Sequence, residues 1–235
     1  MSAPLDLRLG DWRDVLADVE CDALICDPPF GLRTHAGHDN GVRIAREYVS
    51  GSGTPTHRRA LDYGAWTADD VSEFVQHWSP RTRGWFCAFS CSNLFPAWQA
   101  ALEDTGRYAF APVVCIIRAM GVRLSGDGPS SWTVYLNVAR PRRAPYSRWG
   151  ARNGAYVVDR APAYIGGKPL ELMAAIIRDY TRPGDLVCDP CAGMVTTGIA
   201  ALAARRRFVG AEVDPTTHAA ALERVRRGVQ QEMLA

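Results

Sequence analysis

The sequence predicts an α/β fold built on a mostly parallel sheet. Two observations carry this expectation. Two apolar runs, Leu24-Ile25-Cys26 and Leu186-Val187-Cys188, each end abruptly at an aspartate followed by proline, as buried strands feeding a turn do. The C-terminal half then alternates helix, strand, helix, strand, helix, an order that requires parallel strands joined by crossover helices. At 235 residues the chain can bury one good core, and it is read as a single domain over 1–235 with no internal repeat and no linker.

Taken in order, Leu5 to Leu9 alternates apolar with charged residues and stops at Gly10-Asp11, which fits an edge or half-buried strand and a turn. Asp11 to Leu16 reads as a short helix, and Asp22 to Cys26 as the strand leading into Asp27. No periodicity lasts through about 31–66, an irregular insertion rich in Gly, Thr, Arg and His. Thr67 caps a helix whose residues Val71, Phe74, Val75 and Trp78 share one face. Gly84 to Ser90 is a buried strand, and Trp78, Trp85 and Phe89 are expected in the core. Asn93 is the expected cap of a helix from Leu94 to Glu103, stopped by Thr105-Gly106. Pro112 to Arg118 and Trp132 to Ala139 are further strands, separated by the turn signal Gly126-Asp127-Gly128-Pro129. A second irregular insertion covers about 120–166. Lys168-Pro169 opens a helix ended by Arg182-Pro183-Gly184. Strand Leu186 to Cys188, helix Thr196 to Ala204, strand Phe208 to Ala211 and helix Thr216 to Arg227 complete the chain.

Composition bounds the function classes. No apolar run approaches the roughly 18 residues that span a membrane, and no basic-then-apolar leader opens the sequence, so a cytoplasmic location is expected. Most of the seven cysteines sit inside strands, where they behave as small buried hydrophobes rather than a disulfide framework. Cys188-x-x-Cys191 has metal-like spacing but no second Cys/His pair accompanies it, so no metal is expected. The chain has 26 arginines and a single lysine, Lys168, which marks that position as one where a compact ammonium is required.

Two stretches carry chemistry. In an open α/β sheet, ligands collect beyond the carboxyl ends of the strands. Asp27-Pro28-Pro29-Phe30 and Asp189-Pro190-Cys191-Ala192-Gly193-Met194-Val195-Thr196-Thr197-Gly198 are both expected at that edge, although about 160 residues separate them. The second stretch is a strand, a glycine-containing turn and a helix start, which present backbone N–H groups to a ligand. About twenty residues on, Glu212 and Asp214 stand where such folds place an acid for ribose hydroxyls. In the first stretch, two prolines fix the backbone after Asp27. An exocyclic amine can give one hydrogen to the Asp27 carboxylate and one to the Pro28 carbonyl, while Phe30 offers a face for a base to stack on. Each stretch taken alone also fits a simpler reading: a helix-entry turn without a ligand, and a rigid strand-ending turn.

Together the two stretches resemble the amino-methyltransferases that methylate adenine N6 or cytosine N4 in DNA from S-adenosylmethionine. That family carries an Asp-Pro-Pro-Tyr/Phe motif and a donor motif Asp-Pro-Phe-x-Gly-x-Gly, and the order here, with the donor motif last, resembles its beta subgroup. Gly10-Asp11, Lys168-Pro169, Pro183-Gly184-Asp185 and Gly210-x-Glu212-x-Asp214 fit the family's other pieces. The resemblance implies a Rossmann-like methyltransferase fold with a mostly parallel seven-stranded sheet and helices on both faces. It implies a catalytic set of Asp27, Pro28, Pro29 and Phe30. It implies a donor site of Asp11, Lys168, Asp189, Pro190, Cys191, Gly193, Thr196, Thr197, Glu212 and Asp214. An initial Asp goes mostly with adenine in that family, so adenine N6 is favoured over cytosine N4, with the base flipped out of the duplex. The donor motif departs from the family: Cys191 replaces Phe, and Met194-Val195 replace Ser-Gly, where a β-branched residue costs close approach.

Without a separate target-recognition domain, DNA contacts are expected from the two insertions. The first holds Arg33, Arg43, Arg46, Arg58 and Arg59, with His35, His38 and His57 read as surface residues. The second holds Arg140, Arg142, Arg143, Arg148 and Arg152 among Tyr146 and Trp149. A solvated, arginine-biased loop is the plainer reading of both. A homodimer is common in the resembled subgroup. The alternatives kept open are an RNA or protein-amide methyltransferase, and a non-catalytic nucleic-acid-binding relative.

Overall fold

The strand Ala23–Cys26 (β2) is buried along its whole length because it faces a core on each side. Ala23 and Ile25 enter one hydrophobic cluster and Leu24 and Cys26 the other, as the two-residue alternation of a strand requires. The structure, a computed structural model, describes residues 4–32, 34, 64–118, 133–142, 149–160, 162–164 and 167–234, the last six by their backbone alone. Within these lie β1 (Leu5–Leu9), α1 (Trp12–Val15), β2, α2 (Ala68–Arg81), β3 (Phe86–Ser90), α3 (Phe95–Asp104), β4 (Arg107–Ala109), β5 (Val113–Ile117), β6 (Thr133–Pro141) and β7 (Ala155–Val158). They continue with α4 (Leu170–Tyr180), β8 (Leu186–Asp189), α5 (Thr196–Ala203), β9 (Arg207–Glu212) and α6 (Pro215–Leu234).

The strands form one sheet in the order β1-β9-β8-β2-β3-β6-β5-β7, with β4 pairing β6 off this path. From β1 to β3 every pairing is parallel; β6 runs antiparallel to β3, β4 and β5, and β7 is parallel to β5. This is the expected mostly parallel α/β sheet. It has nine strands among the described residues, because β4 and β7 add to the seven expected. β7 lies within the second insertion: only Tyr156 and Val158 of its four residues are buried, too short an alternation to stand out from its polar surroundings. β4 was hidden by Arg107, which is buried. Its guanidinium donates to Ser79 Oγ (2.9 Å), to the Ser79 and Gly84 carbonyls (2.8 Å each) and to the Thr82 carbonyl.

Helices cover both faces. Trp12 of α1 joins α2 and α3 in the cluster containing Leu24 and Cys26, whereas α4, α5 and α6 contribute to the cluster containing Ala23 and Ile25. α2 starts at the expected cap: Thr67 Oγ accepts from the Asp70 N–H (3.3 Å) and the Asp70 carboxylate accepts from the Thr67 N–H (2.7 Å), a reciprocal capping box. The expected cap of α3 is corrected. Leu94, not Asn93, holds the cap position; its side chain has no acceptor to offer, and Pro96 at the second helical position has no N–H that would need one. No helix among the described residues is long and apolar enough to cross a membrane. The turn signal at Gly126–Pro129 lies outside the described residues.

Candidate active site

β2 and β8 are hydrogen-bonded neighbours in parallel register, with Ala23 opposite Val187 and Leu24 opposite Cys188. Asp27 and Asp189, one at each strand's carboxyl end, therefore emerge side by side at the same rim. After β8 the chain enters α5 on one face, whereas α2, the next described helix after β2, lies on the other. Adjacent strands that send their chains to opposite faces open a crevice between their ends, the place where such sheets hold ligands.

The first stretch closes over this rim. Pro28 is buried, Pro29 and Phe30 are half-buried, and the Phe30 carbonyl accepts from the Trp66 N–H (3.1 Å), which ties the turn to the start of α2. Asp27 Oδ2 is ion-paired with Lys168 Nζ, which comes from the residue before the Pro169 cap of α4. That ammonium is buried and sits 5.0 Å from the centroid of the Phe30 ring and 5.0 Å from that of Phe89. Asp27 Oδ1 is also buried and has no hydrogen-bond partner among the described residues. Burial raises the Asp27 carboxyl above the usual range, and the charge of Lys168 and its hydrogen bond oppose that rise. An acceptor oxygen out of water and without a donor is costly unless something arrives to fill it.

The second stretch forms the expected turn between β8 and α5, but it uses its own N–H groups. The Cys191 N–H donates to Asp189 Oδ1 (3.1 Å), Ala192 N–H to the Ala211 carbonyl (2.9 Å), Gly193 N–H to Glu212 Oε2 (2.9 Å) and Val195 N–H to the Ala192 carbonyl (2.7 Å). The expectation that these N–H groups are presented to a ligand is corrected at those four residues. What the turn leaves open is space: an added side chain at Gly193, whose φ is +51°, would meet nothing within 4 Å.

Asp189 is buried and accepts from Thr197 Oγ1 at 2.6 Å as well as from Cys191, so both oxygens serve the turn. Burial pushes its carboxyl up to about 7 against these two hydrogen bonds, and the charges of Asp27 and Glu212 push the same way. Pro190 and Thr197 are likewise buried. Asp189, Pro190 and Thr197 are thus placed as supports of the turn. Cys191 packs at the edge of the core, its thiol held neutral by burial. Thr196 Oγ1 accepts from Arg224 (2.9 Å), which also donates to the Met194 carbonyl (2.6 Å).

Val195, the residue that departs most from the family motif, caps α5 in the left-handed region (φ 57°, ψ 31°) with its side chain fully buried. The backbone therefore keeps the shape that glycine adopts freely, and a β-branched residue holds it under strain. Its side chain fills the space beside Gly198, where an added Cβ would meet Val195 Cγ2 at 2.7 Å.

Glu212, at the end of the neighbouring strand β9, touches the turn directly. It accepts from Gly193 through Oε2 and from the Asp214 N–H through Oε1 (2.9 Å each), which leaves lone pairs on both oxygens. Asp214 caps α6, accepting from the Thr217 N–H at 2.7 Å. Asp11 caps α1 and pairs with Arg13 (3.1 Å). It follows Gly10, whose N–H donates to the Glu212 carbonyl at 2.9 Å, so Asp11 is on the same rim.

The expected donor-site residues thus gather on one rim, except that Lys168 is committed to Asp27. Two participants were not singled out in the sequence. Phe89 reads as a core residue inside a continuous apolar strand, and Arg224 lies on a helix face with no motif to mark it.

The described arginines of the second insertion lie elsewhere. β6 is antiparallel to β3, with Tyr135 opposite Ser90 and Ala139 opposite Phe86, so Arg140 and Arg142 are carried to the rim opposite the crevice. There they stack on Tyr108 at 5.1 and 5.5 Å from its centroid. Trp149 packs on Trp85 and beneath Arg182 (3.7 Å), and Arg152 donates to the Asp179 carbonyl at the end of α4 (3.2 Å). Any contact of Arg140 or Arg142 with DNA would therefore fall on the rim away from Asp27 and the glycine turn. Arg33, Arg43, Arg46, Arg58, Arg59, Arg143, Arg148, Tyr146, His35, His38 and His57 lie outside the described residues.

Residues 131–223, which include the second stretch but not the first, match the family model N6_N4_Mtase, described as DNA methylase. A DNA adenine methyltransferase of Escherichia coli (strain K12), YhdJ, is 36% identical over 73 residues, 31% of this chain and 25% of that protein. The chain spans only 25–30% of the length of the curated relatives it matches. Among solved structures, the M1.HpyAVI–SAM complex superposes with a TM-score of 0.68 at 19% identity, covering 94% of this chain and 98% of the other. The cytosine-N4-specific PvuII DNA methyltransferase superposes with a TM-score of 0.61 at 14% identity, covering 94% and 86%. These likenesses show the fold of Rossmann-like methyltransferases, and the match to the family model is confined to residues 131–223, which run from β6 through β8, α5 and β9 into α6.

Proposed function

We propose that this chain, which matches the N6/N4 DNA-methylase model over residues 131–223, transfers a methyl group from S-adenosylmethionine to the exocyclic amine of a flipped-out DNA base, adenine N6 in preference to cytosine N4. The observation that carries the reading is Asp27 Oδ1: a buried acceptor at the crevice rim, without a hydrogen-bond partner among the described residues, one strand away from the glycine turn. The donor fits the residues around it. Gly193 faces open space wide enough for a ligand to approach the backbone, and Glu212 has lone pairs for two hydroxyls, with Asp11 alongside. The donor supplies, when bound, a methyl group made electrophilic by a sulfonium.

The chain's own work is positioning. Asp27 Oδ1 accepts one amine hydrogen and the Pro28 carbonyl a second, which directs the nitrogen lone pair into the crevice. The nitrogen forms its new bond to carbon as that carbon's bond to sulfur breaks, and one amine proton must leave, with Asp27 the nearest acceptor. Orientation of this kind supplies several kcal/mol of a barrier without a histidine base. The initial aspartate and the likeness to an adenine methyltransferase favour adenine; the likeness to a cytosine-N4 enzyme keeps that amine as the other candidate.

The experiment is transfer of labelled methyl from S-adenosylmethionine, with DNA, RNA and protein competing in one tube, alongside calorimetric titration of the donor. Asp27→Ala is expected to lower transfer at least 100-fold with donor affinity within about threefold of wild type. Undiminished transfer by Asp27→Ala would sink the assignment. A second reading, a relative that binds nucleic acid without catalysis, is favoured by the strained valine in the donor turn; nucleic-acid binding without detectable donor binding would support it.

A further inference from the structure

Lys168 is the one lysine beside 26 arginines, and it is the residue that contacts Asp27. Its ammonium bonds Oδ2 and leaves Oδ1 without a partner among the described residues, while the Phe30 and Phe89 ring centroids each lie 5.0 Å from it. The ring faces and the carboxylate together fix a single compact cation in place. A guanidinium could not substitute. Its planar fork pairs with both oxygens of a carboxylate, so an arginine here would cover the oxygen that a substrate amine must reach.

We propose that Lys168 is a positioning residue of the amine pocket: a one-point counter-ion that keeps the buried Asp27 carboxylate charged and turned so that Oδ1 stays free for the substrate amine. This rests on the reading of Asp27 as the amine acceptor. It departs from a purely donor-binding role for the lysine, since the contact it makes is with the substrate side of the crevice. Among the described residues, the titratable groups that interact with Asp27 are Lys168, Asp189 on the neighbouring strand, and the thiols of Cys26 and Cys191, both neutral through burial. Without the lysine, burial acts on Asp27 unopposed. The carboxyl then takes up a proton at higher pH, and its protonated form is a weaker hydrogen-bond acceptor that can take no proton from the amine.

Two variants separate the charge from the geometry. Lys168→Met is expected to move the acid limb of the pH–rate profile up by at least one unit, with activity returning towards wild type at alkaline pH and donor affinity within threefold. Lys168→Arg keeps the charge. It is expected to leave the acid limb in place while kcat falls at least tenfold at every pH. Carbon-13 NMR of the labelled Asp27 carboxyl, without substrate, reads the same point independently of turnover: its titration moves up in Lys168→Met and not in Lys168→Arg. An unmoved Asp27 titration in Lys168→Met, or full activity of Lys168→Arg, overturns the proposal. So does a Lys168→Met variant whose only defect is donor affinity. If wild type methylates no nucleic acid the functional reading fails, and the NMR titration still decides the role of the lysine.

Discussion

The carboxyl of Asp189 makes a quantitative test of what that residue is for. It is buried, both oxygens are bonded inside the turn, and burial pushes it up to about 7 from an ordinary 3.8. Between those two values the folded chain holds a proton that the unfolded chain releases. The sign follows: this group's contribution to stability is present below about 4 and is lost as pH rises through 7. Between pH 5 and pH 8 the loss from this one site is about 3 kcal/mol, an order-of-magnitude figure from the roughly two pH units between 5 and the raised value, at 1.36 kcal/mol each. Asp189→Asn removes the titration while keeping the shape. Its amide oxygen accepts from the Cys191 N–H and its NH2 donates to Thr197 Oγ1, with the hydroxyl turned from donor to acceptor. The assay is urea unfolding of both proteins at pH 5 and pH 8. Wild type is expected to lose about 3 kcal/mol more than the variant over that interval, roughly 1 M in midpoint for a slope of about 3 kcal/mol per molar. Donor affinity of the variant is expected within threefold, since the carboxylate faces the turn. Equal losses in the two proteins would refute the burial argument, and a tenfold loss of donor affinity would refute the supporting role.

Two further outcomes follow from the same turn. Val195→Gly relieves a left-handed conformation worth about 1 kcal/mol but removes a fully buried side chain worth about 2–3 kcal/mol. The variant is therefore expected to be about 1–2 kcal/mol less stable by urea unfolding and yet to bind the donor more tightly by calorimetry. Glu212→Gln leaves one acceptor for two N–H groups, Gly193 and Asp214, and is expected to weaken donor binding about tenfold at a stability cost of about 1–2 kcal/mol.

The parts of the fold legible from sequence were those fixed by local rules. The β2 and β8 runs are apolar because both faces are covered, and Thr67 with Asp70 announces a helix start through a bond between neighbours. The adjacency of Asp27 and Asp189 was also reachable, since both terminate parallel strands. What stayed hidden depends on partners remote in the chain. β4 carries a buried arginine whose charge is answered by carbonyls some 23–28 residues earlier, and no pattern of apolar residues can announce that. Lys168 stood out by rarity, but its partner lies 141 residues away, so the resemblance assigned it to the donor site whereas the structure sets it against Asp27. Which end of the sheet Arg140 and Arg142 reach was also not readable from the sequence. Their location depends on the antiparallel direction of β6, which reverses which end of the sheet a residue reaches.

The pairing of β2 with β8 has a consequence for biosynthesis. β2 and β3 leave the ribosome early, but the apolar flank of β2 stays uncovered until β8 emerges 96 residues after Ser90. At about 5–20 residues per second that interval lasts roughly 5–20 s. For that time the nascent chain displays a bare strand edge of the kind that recruits other strands. Slowing translation between β3 and β8 should therefore raise the aggregated fraction, and a co-translational chaperone should lower it.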